Sequence, residues 1–244
     1  EFTLLPYEGV ITKLKLEMSE GSSTYDIYAY DAYMSLSYLP FDQFLPLEKF
    51  IKDPNLPYIE LESFIPGLVE NYGTWKGQIV AIPYYHANRV YAYRKDLFED
   101  PGERMAFSMK YGYELEPPET WDEYRDIAEF FTRDTNGDGI TDFWGTTKGF
   151  SYGIAWDEFS DRYHSFKPPI GKKENTLNYW IDDKYNILFN GEKGVKTLQD
   201  MVNMANLGFY APGYIERTWI DVIDPFCHNN AAMTDMFTDS LCYL

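Results

Sequence analysis

The first thirty residues read as strand, helix, strand, and that order constrains the fold more than any other feature of the chain. Phe2-Thr3-Leu4-Leu5 is a strand-like run. Ile11, Leu14, Leu16 and Met18 then recur at helical spacing and predict a short helix with one apolar face, ended by Gly21-Ser22-Ser23. Tyr25-Asp26-Ile27-Tyr28-Ala29-Tyr30 is dense in β-formers and predicts a buried strand. Two strands joined through a helix are expected to lie parallel, which points to an α/β chain with helices over a sheet.

Further elements follow in the same style. Leu47-Glu48-Lys49-Phe50-Ile51 predicts a short helix within a Pro- and aromatic-rich stretch. Trp75-Lys76-Gly77-Gln78-Ile79-Val80-Ala81-Ile82-Pro83 reads as a hairpin turn feeding a strand that stops at proline. Asn88 to Arg94 reads as a strand, with a helix opening at Lys95-Asp96-Leu97-Phe98-Glu99. After Glu116-Pro117-Pro118-Glu119, Thr120 and Glu123 form a capping box for a helix running to about Thr132 that buries Trp121, Tyr124, Ile127 and Ala128. Gly194 to Leu207 is amphipathic, with Val195, Leu198, Met201, Val202 and Ala205 inward and Gly208 as its stop.

The 244 residues suffice for one large or two modest domains, and 45% hydrophobic against 25% charged residues is a globular balance. A net charge of −18 repels phosphate backbones and anionic headgroups, so it disfavours nucleic acid and membrane surfaces as partners. No stretch has the apolar length to span a bilayer, and no secretion-signal pattern is present. Cys227 and Cys242 have no metal-site spacing and are either a disulfide or two buried thiols. The 22 tyrosines are either half-buried substitutes for phenylalanine or flat, polar-tipped surfaces for a ligand. No nucleophile elbow, phosphate loop, zinc motif or dinucleotide fingerprint occurs.

Six segments resemble one family in order. They are Tyr25-Asp26, Trp75 to Pro83, Tyr93-Arg94-Lys95-Asp96-Leu97-Phe98, Thr120-Trp121-Asp122-Glu123-Tyr124, Phe189-Asn190-Gly191-Glu192-Lys193-Gly194-Val195, and Phe226-Cys227-His228-Asn229-Asn230-Ala231-Ala232-Met233. Together they are similar to the extracellular solute-binding proteins of family 1, the maltose-binding-protein class of ABC sugar importers. The resemblance implies a two-lobe periplasmic-binding-protein-like fold (type II). Residues 1–82 would belong to an N-terminal lobe, 83–88 to a hinge crossing, and 89–244 to a C-terminal lobe. It also implies a chain incomplete at both ends, lacking a first strand and helix and a returning segment. The function it implies is non-enzymatic. A sugar or polyol is captured as the lobes close, then handed to ABC permease subunits by a monomer that is periplasmic or a cell-surface lipoprotein. The alternative is a secreted glycoside hydrolase, for which Asp31 and Asp157 are candidate carboxylates without a motif that pairs them.

Sugars need aromatic faces and planar polar groups at loop tips, at the C-terminal ends of strands. Four places offer them. Tyr30, Asp31 and Tyr33 follow the first long strand, where Tyr30 is either ligand contact or core and Asp31 either contact or helix cap. Tyr85, His86 and Asn88 follow Pro83, where relatives often carry an acidic ligand residue and this chain reads His86-Ala87-Asn88. His86 there is either a contact or a satisfied structural histidine. Tyr152 and Trp156 offer a stacking platform, or Trp156 is core. Thr238 and Asp239 stand where relatives carry a tryptophan-bearing turn. Separately, Asp134-Thr135-Asn136-Gly137-Asp138-Gly139-Ile140-Thr141-Asp142 spaces oxygen donors like the first part of an EF-hand loop. Asp134, Asn136, Asp138, the Ile140 carbonyl and Asp142 would hold a structural Ca2+. Position twelve is Gly145 rather than glutamate, so the full motif is absent, and the alternative is a polar Asp-Asn-Gly turn. No other cofactor is expected.

Overall fold

The computed structural model describes residues 7–22, 24–31, 38–151, 154–165, 186–238 and 240. The chain divides into two compact units, Glu1–His86 and Ala87–Leu244.

The first unit opens with helix α1 (Tyr7–Glu20), closed by Gly21 at φ 64°. Leu14 and Met18, one turn apart, are buried with Tyr38, and Ile11, Tyr28, Tyr30 and Phe44 pack around them. Leu16 is exposed, against expectation. It lies two residues from Leu14, so about 200° around the helix from the buried face. The expected strand over Tyr25–Tyr30 is also corrected: those residues are irregular. Ile27 is 88% exposed, and no described segment pairs with it. β-propensity acts only where a neighbour supplies a ladder. The expected strand at Phe2–Leu5 lies outside the described residues, so the βαβ unit has no support in this region.

Two short helices, α2 (Glu48–Ile51) and α3 (Leu68–Tyr72), lead to a hairpin of β1 (Thr74–Trp75) and β2 (Gln78–Ile79). Its turn residues Lys76 and Gly77 both have positive φ, 51° and 79°, as a type I′ turn requires. Glu48 accepts the Ile79 N–H at 2.7 Å, and Asp42 accepts the Trp75 indole N–H at 2.8 Å, tying the hairpin to the unit.

The second unit is built on a three-stranded sheet ordered β3 (Arg89–Tyr93), β5 (Ala231–Phe237), β4 (Trp144–Thr146). β3 runs antiparallel to β5 with Arg89 opposite Phe237, while β4 runs parallel to β5 with Thr146 opposite Met233. Helix α4 (Lys95–Phe98) follows β3 directly. The next helix, α5 (Pro101–Tyr111), is an addition to the sequence reading, although its signals are plain. Asp100 caps the N–H groups of Gly102 and Glu103, Pro101 sits in the first turn, and Gly112 ends it at φ 82°. Helix α6 (Trp121–Phe131) has the expected capping box, with Tyr124, Ile127, Ala128 and Phe131 buried and Trp121 half-buried. These residues join Phe98, Phe107, Leu115, Met204, Phe209, Tyr210, Ala232 and Met233 in one core. Each large apolar side chain there contributes about 1.5–3 kcal/mol by leaving water. Gly145 is where the sheet meets α6, since a Cβ there would lie 1.9 Å from the Ala128 carbonyl oxygen.

Helix α7 (Ile154–Ser165) packs on α8 (Glu192–Asn206). The α8 face is rotated from the expected one. Gly194, Thr197, Met201 and Met204 are buried, Ala205 is half-buried, and Val195, Leu198 and Val202 are exposed. The stripe 194, 197, 201, 204 is as regular as the apolar one. Gly194 permits close approach to the Phe189 backbone, and Thr197 satisfies its hydroxyl on the Lys193 carbonyl at 2.9 Å. A short helix α9 (Asp224–Cys227) precedes β5, with Cys227 exposed. Cys242 lies outside the described residues.

Candidate ligand-binding site

In an open α/β sheet, ligands meet loops at the C-terminal ends of parallel strands. Here the ends of β4 and β5 and the start of the antiparallel β3 share one edge. Asn88 and Thr238, far apart in sequence, meet there. The Thr238 N–H donates to the Asn88 carbonyl at 2.8 Å, and the Asn88 N–H donates to Thr238 Oγ1 at 3.2 Å.

Beneath this edge lies a set of six interlocked charges. Arg89, at the start of β3, pairs with Asp235 of β5, two residues from its Phe237 partner on the same face, and with Asp161 of α7 at 3.0 Å. Lys148, just past β4, donates to Glu158 of α7 and to Asp235, each at 2.7 Å. Arg162 donates to Glu158 from one turn along α7 at 2.7 Å. The three cations also lie against aromatic rings: Arg162 over Trp121 at 4.1 Å, Lys148 over Tyr124 at 5.2 Å, Arg89 over Phe237 at 5.5 Å. The side chains of Glu158, Lys148 and Arg162 are only 1–3% exposed, whereas that of Asp161 is 42% exposed. A cavity of about 10 Å³ adjoins the set, with Arg89, Lys148, Glu158 and Asp235 on its polar side and Ile154, Trp219 and Phe237 among its apolar lining.

Burial would raise the Glu158 carboxyl, but Lys148, Arg162 and Arg89 outweigh it and hold the group at about 2. Burial pulls the Lys148 ammonium down to about 8 against the attraction of Glu158. Both are therefore ionised at neutral pH. Asp161 is raised, because partial burial and the nearby Glu158 charge exceed what Arg89 returns. None of the six was singled out in the sequence. The available signal was a charged residue at inward positions of apolar strands, Arg89 and Asp235, and the i,i+4 pair Glu158 and Arg162.

The remaining expected residues lie on both units. Tyr30 packs edge-on against Tyr38 at 5.6 Å and beside Phe44, and Asp31 is exposed, both in the first unit. Tyr85 is exposed and pairs its ring with Tyr84 at 6.3 Å, with His86 exposed beside it. Trp156 is a partly exposed residue of α7 whose ring meets Phe159 and Phe189, each at 6.0 Å. Tyr33, Tyr152 and Asp239 lie outside the described residues. In the 134–142 loop, Asp134 accepts from the N–H groups of Asn136, Gly137 and Gly139 at 2.7–3.1 Å. The Gly139 and Gly137 donors hold its carboxyl below the usual range. Asn136 and Asp138 accept from the N–H groups two residues on, and Asp142 accepts from Thr135. The side-chain oxygens thus face the inside of their own loop, and Ile140 is exposed.

Solved structures of similar fold are about twice as long as this chain. An ABC-transporter solute-binding protein from Agrobacterium radiobacter K84 in complex with ribitol matches 98% of this chain and 53% of its own, with TM-score 0.73 at 19% identity. One from Agrobacterium vitis S4 with bound D-mannitol matches 100% and 52%, TM-score 0.70 at 21% identity. One from Thermotoga lettingae TMO bound with α-D-tagatose matches 98% and 54%, TM-score 0.72 at 20% identity. The chain therefore spans about half the length of these relatives and shares their two-lobe α/β fold. The family model for bacterial extracellular solute-binding proteins matches residues 1–226. By that match, this chain belongs to the bacterial extracellular solute-binding proteins.

Proposed function

We propose that the protein captures a sugar or polyol outside the cytoplasm and delivers it to an ABC importer, without chemical turnover. The observation that carries this reading is the family match over residues 1–226, joined to a sheet edge where Asn88 and Thr238 meet beside Arg89 and Phe237. Fold relatives hold ribitol, D-mannitol and α-D-tagatose, ligands rich in vicinal hydroxyls. Residues 83–88 would serve as the hinge, and the unit boundary at His86–Ala87 falls within them. Capture would then be closure of one lobe on the other, with the exposed Tyr85 and Trp156 rings offering apolar faces to the C–H surface of the ligand. No described helix is long and apolar enough to cross a membrane. Tethering as a lipoprotein or free periplasmic diffusion, docking as a monomer on permease subunits, and ligand roles for Tyr30, Asp31, His86, Tyr33, Tyr152 and Asp239 belong to the same proposal.

The test is thermal unfolding with ribitol, D-mannitol, D-tagatose and maltose. A ligand at a hundred times its Kd adds about 2.7 kcal/mol by mass action, an upward shift on the order of 5–10 °C for a chain of this size. No shift with any of them, or turnover of oligosaccharides to shorter products, overturns the reading. The hydrolase alternative has Asp31 in the first unit and Asp157 in the second.

We further propose a structural Ca2+ in the 134–142 loop. The donor set fits a hard cation, with four side-chain donors and a carbonyl around two glycines at positive φ, 82° and 87°. Binding would require the Asp134, Asp138 and Asp142 carboxylates to turn from backbone N–H groups to the ion. Calcium should raise the unfolding temperature, and EGTA or Asp138→Ala should remove the rise. An identical temperature with calcium and with EGTA would rule it out.

A further inference from the structure

The six-charge set under the sheet edge is an expensive way to fill a core. Each buried ion costs several kcal/mol of desolvation, and well-packed apolar residues in place of such a set are often neutral or stabilising. What paired charges supply and apolar residues cannot is a fixed direction for a polar group. In this set Glu158, Asp235, Lys148 and Arg89 each have two or more ion partners, while Arg162 pairs with Glu158 and Asp161 with Arg89. Glu158 takes Lys148 and Arg162, Asp235 takes Lys148 and Arg89, and Arg89 bridges Asp235, Glu158 and Asp161. The network draws its members from β3, β5, the segment after β4, and α7. Asp161 is the most exposed of the six, its side chain 42% exposed against 16% for Arg89 and 12% for Asp235, and its carboxylate pairs with Arg89. A carboxylate has about four lone-pair positions, so the ion pair with Arg89 leaves it capacity for hydroxyl donors.

The surroundings suit a polyhydroxylated ligand. Arg89 directly follows Asn88, whose backbone is clipped to Thr238 at the edge where α/β sheets meet ligands. Phe237 lies under the Arg89 guanidinium, and Trp219 lines the adjoining cavity. A part-exposed carboxylate ion-paired to a guanidinium that itself lies over an aromatic ring is acceptor chemistry that suits neighbouring hydroxyls.

We propose that Asp161 is a specificity-determining acceptor for ligand hydroxyls, and that Arg89, with the buried Lys148–Glu158–Arg162–Asp235 network behind it, is its positioning residue. This rests on the reading of the protein as a sugar or polyol carrier. The acceptor must be ionised, so ligand affinity should fall on acidification. The groups that face Asp161 are Arg89, Glu158, Lys148, Arg162 and Asp235, and among these Glu158 titrates far lower.

The experiment is calorimetric titration of the protein with ribitol, D-mannitol and D-tagatose, on the wild type, Asp161→Asn and Asp161→Glu, from pH 7.5 downward. Hydrogen bonds to a charged group are worth about 1.5–3 kcal/mol, so Asp161→Asn should weaken binding at neutral pH about tenfold to a hundredfold. The unfolding temperature should hardly change, because the side chain is partly exposed. Wild-type affinity should fall as pH drops through the raised Asp161 range, the Asn variant should show no such fall, and Asp161→Glu should recover part of the affinity. Asp161→Asn binding like the wild type, or following the same acid slope, overturns this proposal and leaves the carrier reading standing. A wild type that binds none of the three at any pH overturns both.

Discussion

Glu158 is the residue on which the second unit most depends for its electrostatics. Its ordinary value near 4.5 falls to about 2 in the folded chain, so the unfolded state binds more protons between those values. The stability this contributes is present above about pH 4.5 and is lost as pH falls toward 2, a few kcal/mol in all. Acid titration of stability by circular dichroism should therefore show a steep loss in that window. Glu158→Gln should lack that part of the slope. The same variant leaves Lys148 and Arg162 buried without their shared partner, so it should cost about 3–5 kcal/mol at pH 7, read by urea unfolding. The sequence offers Glu158 and Arg162 only as an i,i+4 pair, a spacing that carries no sign of burial. Only the approach of Lys148 and Arg89 from other elements makes them a buried network.

At the scale of elements, local signals predicted best where they are self-contained. The Thr120–Glu123 capping box closes within one turn and needs no tertiary partner, so Thr120→Ala should cost about 1 kcal/mol. Helix α8 shows the opposite case. Its existence followed from periodicity, but its buried face is Gly194–Thr197–Met201–Met204, where a glycine and a self-satisfied threonine allow closer packing than valine and leucine. Met201→Ala should accordingly cost about 2–5 kcal/mol, while Leu198→Gln should stay within about 0.5 kcal/mol. Equal losses from the two variants would return the helix to its expected orientation. The Tyr25–Tyr30 segment marks the limit of propensity, since β-formers without a ladder neighbour stay irregular.

For the molecule as a whole, one close contact governs how the sheet sits on its helix. A side chain at position 145 would collide with the Ala128 backbone, and backbone cannot step aside as a side-chain tip can. Gly145→Ala should lower the yield of folded protein and its unfolding temperature by more than any single exposed substitution, measured by differential scanning calorimetry. The ligand-induced shift described above belongs to this scale too, because stabilisation by binding registers in the unfolding of the whole binding unit.

The amino-acid sequence by itself determined the family, the α/β class, and most helices and the hairpin. Caps, turns and 3.6-residue periodicity act over a few neighbouring residues, and six ordered motifs span nearly the whole chain. It also marked Asn88 and Thr238 separately as site residues. Only the tertiary structure brought them to one edge, through the antiparallel register of β3 and β5. It alone decided which face of α8 is buried, and it alone assembled the six charges from four segments. Burial and ion pairing depend on what approaches from elsewhere in the chain, and no local pattern carries that information.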